Sequence, residues 1–127
     1  MGYRLSKRSL GCLEGVHPRL IALVKEAITL TPVDFMVTEG LRTPERQAAL
    51  VRAGASRTRK SRHLTGHAID VVALLDGQVR WDWPLYPRIA AAFKAAAALQ
   101  GTAIVWGGDW PTLRDGPHFE LDRTMFP

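Results

Sequence analysis

The chain has 127 residues, of which 46% are hydrophobic, enough for one domain, residues 1–127, with a real core. No run approaches the ~20 apolar residues of a membrane span, the basic opening from Met1 to Ser9 lacks the apolar segment of a secretory signal, and the single Cys12 excludes an internal disulfide or a thiolate-rich zinc site. The formal net charge is +5, with Arg57, Arg59, Lys60 and Arg62 crowded together. That run suits an anionic partner or is a solvated loop. No nucleic-acid-binding motif accompanies it.

The first helix is predicted over His17-Pro18 to Leu30. Leu20, Leu23, Val24, Ala27 and Ile28 recur at helical spacing, and Pro18 suits the first turn. Val33 to Thr38 alternates as a strand. Thr43 is an N-cap with Pro44 at N1, starting a second helix that ends near Gly54. Gly54 to Gly66 is a polar, basic loop. Ala68 to Leu75 is a strand apolar on both faces, so both sides of the sheet should be covered. Asp76-Gly77 is a turn from which Gln78 to Trp81 pairs back. Tyr86 to Gln100 is a third helix ended by Gly101. Ala103 to Trp106 is a strand, Gly107 to Pro111 a loop, and Pro117 to Leu121 a last short strand. The order implies an α+β fold, a small, mainly antiparallel sheet flanked by about three helices. Cys12 reads as a small buried hydrophobe.

The chemistry centres on Asp70, a carboxylate inside the apolar strand. A buried carboxylate needs a cation, either an arginine or a metal. His63 lies seven residues earlier and reaches Asp70 only if the chain bends, as Gly66 allows. His118 follows Asp115-Gly116-Pro117. Two histidines, one carboxylate and spare acids suit a catalytic zinc site with an open position. Asp115 and Glu120 both compete for the role of base. His67 points away from Asp70 by alternation and reads as structural or solvent-facing, and His17 as packing or capping. Trp106, Trp110 and Asp109 either line the cleft or, for the tryptophans, belong to the core.

Taken together, Thr38-Glu39-Gly40-Leu41-Arg42-Thr43, Gln47, Leu50, Gly54, the signature Ser61-x-His63-x-x-Gly66-x-Ala68-x-Asp70 and the element Asp115-x-x-His118 resemble the VanY-type zinc peptidases. That group joins D-Ala-D-Ala carboxypeptidases to phage L-alanyl-D-glutamate endopeptidases. The opening, Leu5-Ser6 to Leu10 and Gly15-Val16-His17-Pro18, resembles the phage endolysins in particular. The resemblance implies one Zn²⁺ held by His63, Asp70 and His118, with Asp115 rather than Glu120 as general base. It also implies that Arg42 polarises or grips the substrate and that Ser61 contacts it. The implied function is hydrolysis of the L-Ala–D-Glu bond of the peptidoglycan stem peptide. Such a protein would act as a monomer, wait in the cytoplasm of the host bacterium until lysis, then reach the periplasm and wall, held by its charge to the anionic envelope. The rivals are a D-Ala-D-Ala carboxypeptidase with the same metal site, a non-catalytic zinc-stabilised binding module, and a small basic nucleic-acid-binding protein.

Overall fold

Ser6 starts the first ordered element. In the computed structural model, which describes residues 2–58 and 60–127, the Ser6 hydroxyl accepts a hydrogen bond from the Ser9 amide and caps a short helix, α1, Lys7–Cys12. The sequence pattern misses this helix because six residues containing Gly11 show no apolar period. Among the described residues there are therefore four helices: α1, α2 (Pro18–Leu30), α3 (Pro44–Arg52) and α4 (Leu85–Gln100). Its strands are β1 (Asp34–Glu39), β2 (Ala68–Leu75), β3 (Gln78–Arg80), β4 (Ile104–Trp106) and β5 (His118–Leu121). Each expected strand is present, trimmed or shifted by a residue or two. Short 3₁₀ turns occupy Arg62–Thr65 and Gly107–Asp109, inside segments expected to be loops.

The sheet is antiparallel throughout, in the order β1-β2-β5-β4, with β3 returning against the end of β2. Alternation along β2 sends Ile69, Val71 and Ala73 into the main core, where α2 and α4 pack. Leu20, Leu23, Val24 and Ala27 of α2 are fully buried there, as their spacing predicts. Phe93 of α4 stacks on Phe119 of β5 with ring centroids 4.0 Å apart. Ala68 and Val72, on the opposite face, are also buried, whereas Leu74 is half-buried and Leu75 at the hairpin is exposed, so cover thins towards that end.

β1 is an edge strand, and its free amide at Val37 is taken by the buried Ser9 hydroxyl of α1 at 3.0 Å. An edge left open would invite pairing with another chain. Cys12 sits half-buried at the margin of the core rather than inside it. Of the basic run, Arg59 lies outside the described residues. Arg62 is not a solvated charge: its guanidinium donates to the carbonyls of Leu121 and Phe126 at 3.1 and 2.7 Å, tying the loop to the C-terminal segment.

Candidate metal centre and cleft

Strand register builds the site. Asp70 on β2 stands opposite His118 on β5 and, across the other edge, opposite Glu39 on β1. Glu39 reaches this row through a bulge: the pairing shifts between Val37 and Glu39, leaving Thr38 as the extra residue. Strict alternation from Val37 would have pointed Glu39 into the core. The bulge turns it to the cleft face instead, the usual reason for a bulge beside a site.

His63 arrives from a different kind of element. The Ser61 hydroxyl accepts from the His63 amide and starts the turn Arg62–Thr65. Gly66 ends it at φ 74°, the left-handed conformation that the expected bend demands. A side chain at Gly66 would also collide with the carbonyl of Gly15.

His63 Nε2 and His118 Nδ1 lie 3.4 and 3.3 Å from the same atom, Asp70 Oδ1. That oxygen is buried and has no hydrogen-bond partner. Ligand atoms on a tetrahedral zinc with bonds of ~2.0–2.1 Å are separated by about 3.3–3.4 Å. The three donor groups, all within 4.8 Å of one another, therefore fit a metal ion, and the orphaned oxygen calls for a cation.

The outer nitrogen of each histidine is held as well. His63 Nδ1 donates to the Gly40 carbonyl at 2.9 Å. His118 Nε2 donates to Glu120 Oε1 at 2.8 Å. Such partners fix the tautomer that leaves the inner nitrogen free to ligate. Gly40 has no room for a side chain, because a Cβ there would strike the Cys12 carbonyl. The two acids stand in different places: Glu120 holds the outer nitrogen of His118, and Asp115 lines the cleft.

Without a metal, His118 is the cation beside Asp70. Burial alone would raise the Asp70 carboxyl, but His118 and His63 beside it hold it well below the usual carboxylate range. Burial alone would lower His118, but Asp70 and Glu120 on its two sides push it up to about 9. A proton there stands in for the metal.

Arg42 is held on three sides. Its Nε contacts Glu39 Oε1 at 2.6 Å, its Nη1 donates to Gln47 Oε1 at 2.7 Å, and its Nη2 lies 3.6 Å from Asp70 Oδ2. Gln47 is buried on α3, which Thr43 caps as expected, and its amide also donates to Ser56 Oγ and to the Thr58 carbonyl. The positioning role of Gln47 was not legible beforehand, since only its place in a family motif marked it. The sheet wall and this loop wall enclose a cleft of about 350 Å³ lined by Arg42, Ser61, His63, Asp70, Asp115 and His118, together with Glu39 and Trp110.

Asp115 is held by its amide to the Gly107 carbonyl at 3.0 Å, and its own carbonyl accepts from the His118 amide at 3.2 Å. Gly107 permits this, because a Cβ there would meet Asp115 and His118. Burial raises the Asp115 carboxyl, and the Asp70 charge raises it further, against the pull of His118, His63 and Arg42. Trp110 packs on His118 with ring centroids 5.1 Å apart. Trp106 is core, donating its indole N–H to the Gly116 carbonyl at 2.7 Å. Asp109 pairs with Lys94 at the surface and does not line the cleft. His67 bonds to Thr65 and packs by His17, away from the cluster.

The family model described as phage L-alanyl-D-glutamate peptidase matches residues 1–126. The chain belongs to that family. It is 32% identical over 130 residues to the L-alanyl-D-glutamate peptidase of Escherichia phage T5, covering 99% of this chain and 94% of the relative. It is 38% identical over 90 residues to the L-alanyl-D-glutamate peptidase of Listeria phage A118, covering 71% of this chain but only 31% of that longer relative. In three dimensions it is similar to the crystal structure of Serratia marcescens L-Ala D-Glu endopeptidase ChiX, with a TM-score of 0.91 and 50% identity, covering 95% of this chain and 91% of that one. Within this peptidase family, the His63–Asp70–His118 cluster is the one group among the described residues with the donors for a metal.

Proposed function

We propose that this member of the phage L-alanyl-D-glutamate peptidases is a single-domain, zinc-dependent enzyme that hydrolyses the L-Ala–D-Glu bond of the peptidoglycan stem. The observation that carries the proposal is the buried, unpartnered Asp70 Oδ1 facing the inner nitrogens of two histidines whose outer nitrogens are already engaged. His63, Asp70 and His118 would hold one Zn²⁺. The chemistry a bound Zn²⁺ supplies is Lewis-acid polarisation of the scissile carbonyl and acidification of water.

The residues divide the remaining work. Asp115 takes the proton of the attacking water on its carboxylate and returns it to the nitrogen of the leaving D-Glu. Its raised carboxyl is better matched to this exchange near neutrality than an ordinary aspartate. Arg42 has five N–H donors, and Glu39, Gln47 and Asp70 engage only part of them. The rest are left for the developing oxyanion, in a guanidinium that needs no rearrangement at the moment of reaction. Ser61 contributes a hydroxyl at the rim. The protein acts as a phage endolysin, monomeric, waiting in the host cytoplasm and then cutting the wall, with its positive charge favouring the anionic envelope.

The test is digestion of purified peptidoglycan followed by mass spectrometry, beside EDTA-treated enzyme and Asp115→Ala. New D-Glu amino termini, absent from both controls, are expected. Release of D-alanine alone would reassign the enzyme as a carboxypeptidase. Metal binding without any cleavage would sink the catalytic reading.

A further inference from the structure

A second cavity, of about 370 Å³, opens beside the cleft and shares Ser61, Trp110 and His118 with it. Among the described residues, three cations line it, Lys60, Arg62 and Arg123, against one carboxylate, Glu120. That carboxylate is already engaged. Its Oε1 accepts from His118, and its Oε2 lies 3.6 Å from Arg123 Nε and 3.9 Å from Arg62 Nε. The pocket therefore keeps an excess of positive charge within reach of the metal ligands. Arg123 is open to solvent, with 69% of its side chain exposed, and Lys60 is exposed as well.

The substrate provides the matching group. A glutamate inside a peptide uses its nitrogen and one of its two carboxyls, so the other is a free carboxylate unless it is amidated. In an L-Ala–D-Glu bond that carboxylate sits on the leaving side, a few bonds from the nitrogen that departs. The donors that Arg42 keeps free beside Glu39, Gln47 and Asp70 are the ones assigned to the developing oxyanion, so the carboxylate needs another cation.

We propose that Arg123 and Lys60 form the subsite for the free glutamate carboxylate, so that the enzyme distinguishes stems with D-Glu from stems in which that carboxyl is amidated. This inference rests on the endopeptidase reading. A charge-assisted pair is roughly twice as strong as a neutral hydrogen bond, and a rim-exposed pair with 1.4 kcal/mol of discrimination gives about tenfold. Arg62 frames the pocket but is committed to backbone carbonyls.

The experiment is competition in one tube between two muropeptides that differ only in amidation of the glutamate carboxyl. The ratio of product formation gives the ratio of the two kcat/KM values, and any misfolded fraction cancels. Wild type is expected to favour the free acid by about tenfold, Arg123→Met with Lys60→Met to bring the ratio close to one, and Arg123→Glu to invert it. Equal cleavage of both by wild type would overturn the subsite and leave the endopeptidase standing. So would a preference that survives the charge reversal. Cleavage of neither muropeptide would remove both readings.

Discussion

The two walls of the cleft are built on different principles. The sheet wall carries Asp70 and His118 on paired strands, at positions set by the hydrogen-bond ladder. The rest of the cleft carries Arg42, Ser61 and Asp115 on caps, turns and short loops, Arg42 held by the side chains of Glu39 and Gln47 and Asp115 by backbone bonds to Gly107 and His118. His63 joins them, since it comes from the turn but completes the cluster on the sheet. The difference teaches which residues should fail together. Damage to the sheet wall should remove the metal and activity at once, whereas damage to the loop wall should remove activity and leave the metal in place.

The largest effect should separate the walls directly. His118→Ala is expected to lose both bound zinc and peptidoglycan cleavage. Asp115→Ala is expected to retain one zinc, by metal analysis, while kcat falls by about 10²–10⁴-fold, the range for a lost general base. If Asp115→Ala also loses the metal, the division into two walls is wrong.

A smaller effect sharpens the sheet side. Glu120→Gln keeps the shape but weakens the carboxylate behind His118, and zinc affinity should fall about 10–100-fold. Competition with a chelator measures it. Unchanged affinity would mean that the 2.8 Å contact does not orient the ligand.

The loop side is tested by Gln47→Ala, which frees Arg42 and the Ser56–Thr58 segment and leaves buried polar groups unpaired. Stability should drop by about 1–3 kcal/mol, with kcat/KM reduced and stoichiometric zinc retained. Denaturant titration and metal analysis on one sample check both halves of this.

The smallest effect concerns pH in metal-free protein. His118 is raised when folded, so its contribution is complete below its ordinary pKa of about 6.5 and disappears as pH climbs through about 9. Asp70 is lowered when folded, so its contribution is present above about 4 and is lost towards acid. EDTA-treated protein should therefore melt highest between those limits and lose several degrees of Tm by pH 9. The zinc-loaded protein should not show this alkaline loss, because the metal displaces the proton on His118. Calorimetry across pH with and without metal decides it.

Much of this architecture was legible in the residues. Apolar spacing located α2, an alanine-rich run located α4, Thr43-Pro44 located the start of α3, and Asp76-Gly77 located the hairpin. The cost of burying Asp70 announced a cation before any fold was known. Other features had no local signal. α1 is too short to show a period, and the bulge after Val37 overrides the alternation that would bury Glu39. Arg62 looked like one of a basic run, yet its partners at Leu121 and Phe126 are distant in sequence.

The sequence by itself determined the candidate ligand types, the elements that carry them, and the bend at Gly66, because residue chemistry, periodicity and backbone freedom are local properties. Only the tertiary structure decided that Glu120 supports His118 while Asp115 faces the cleft, and that Gln47 and Glu39 hold Arg42. Those assignments depend on strand register and on contacts between loops, which arise only when segments far apart in the chain pack together.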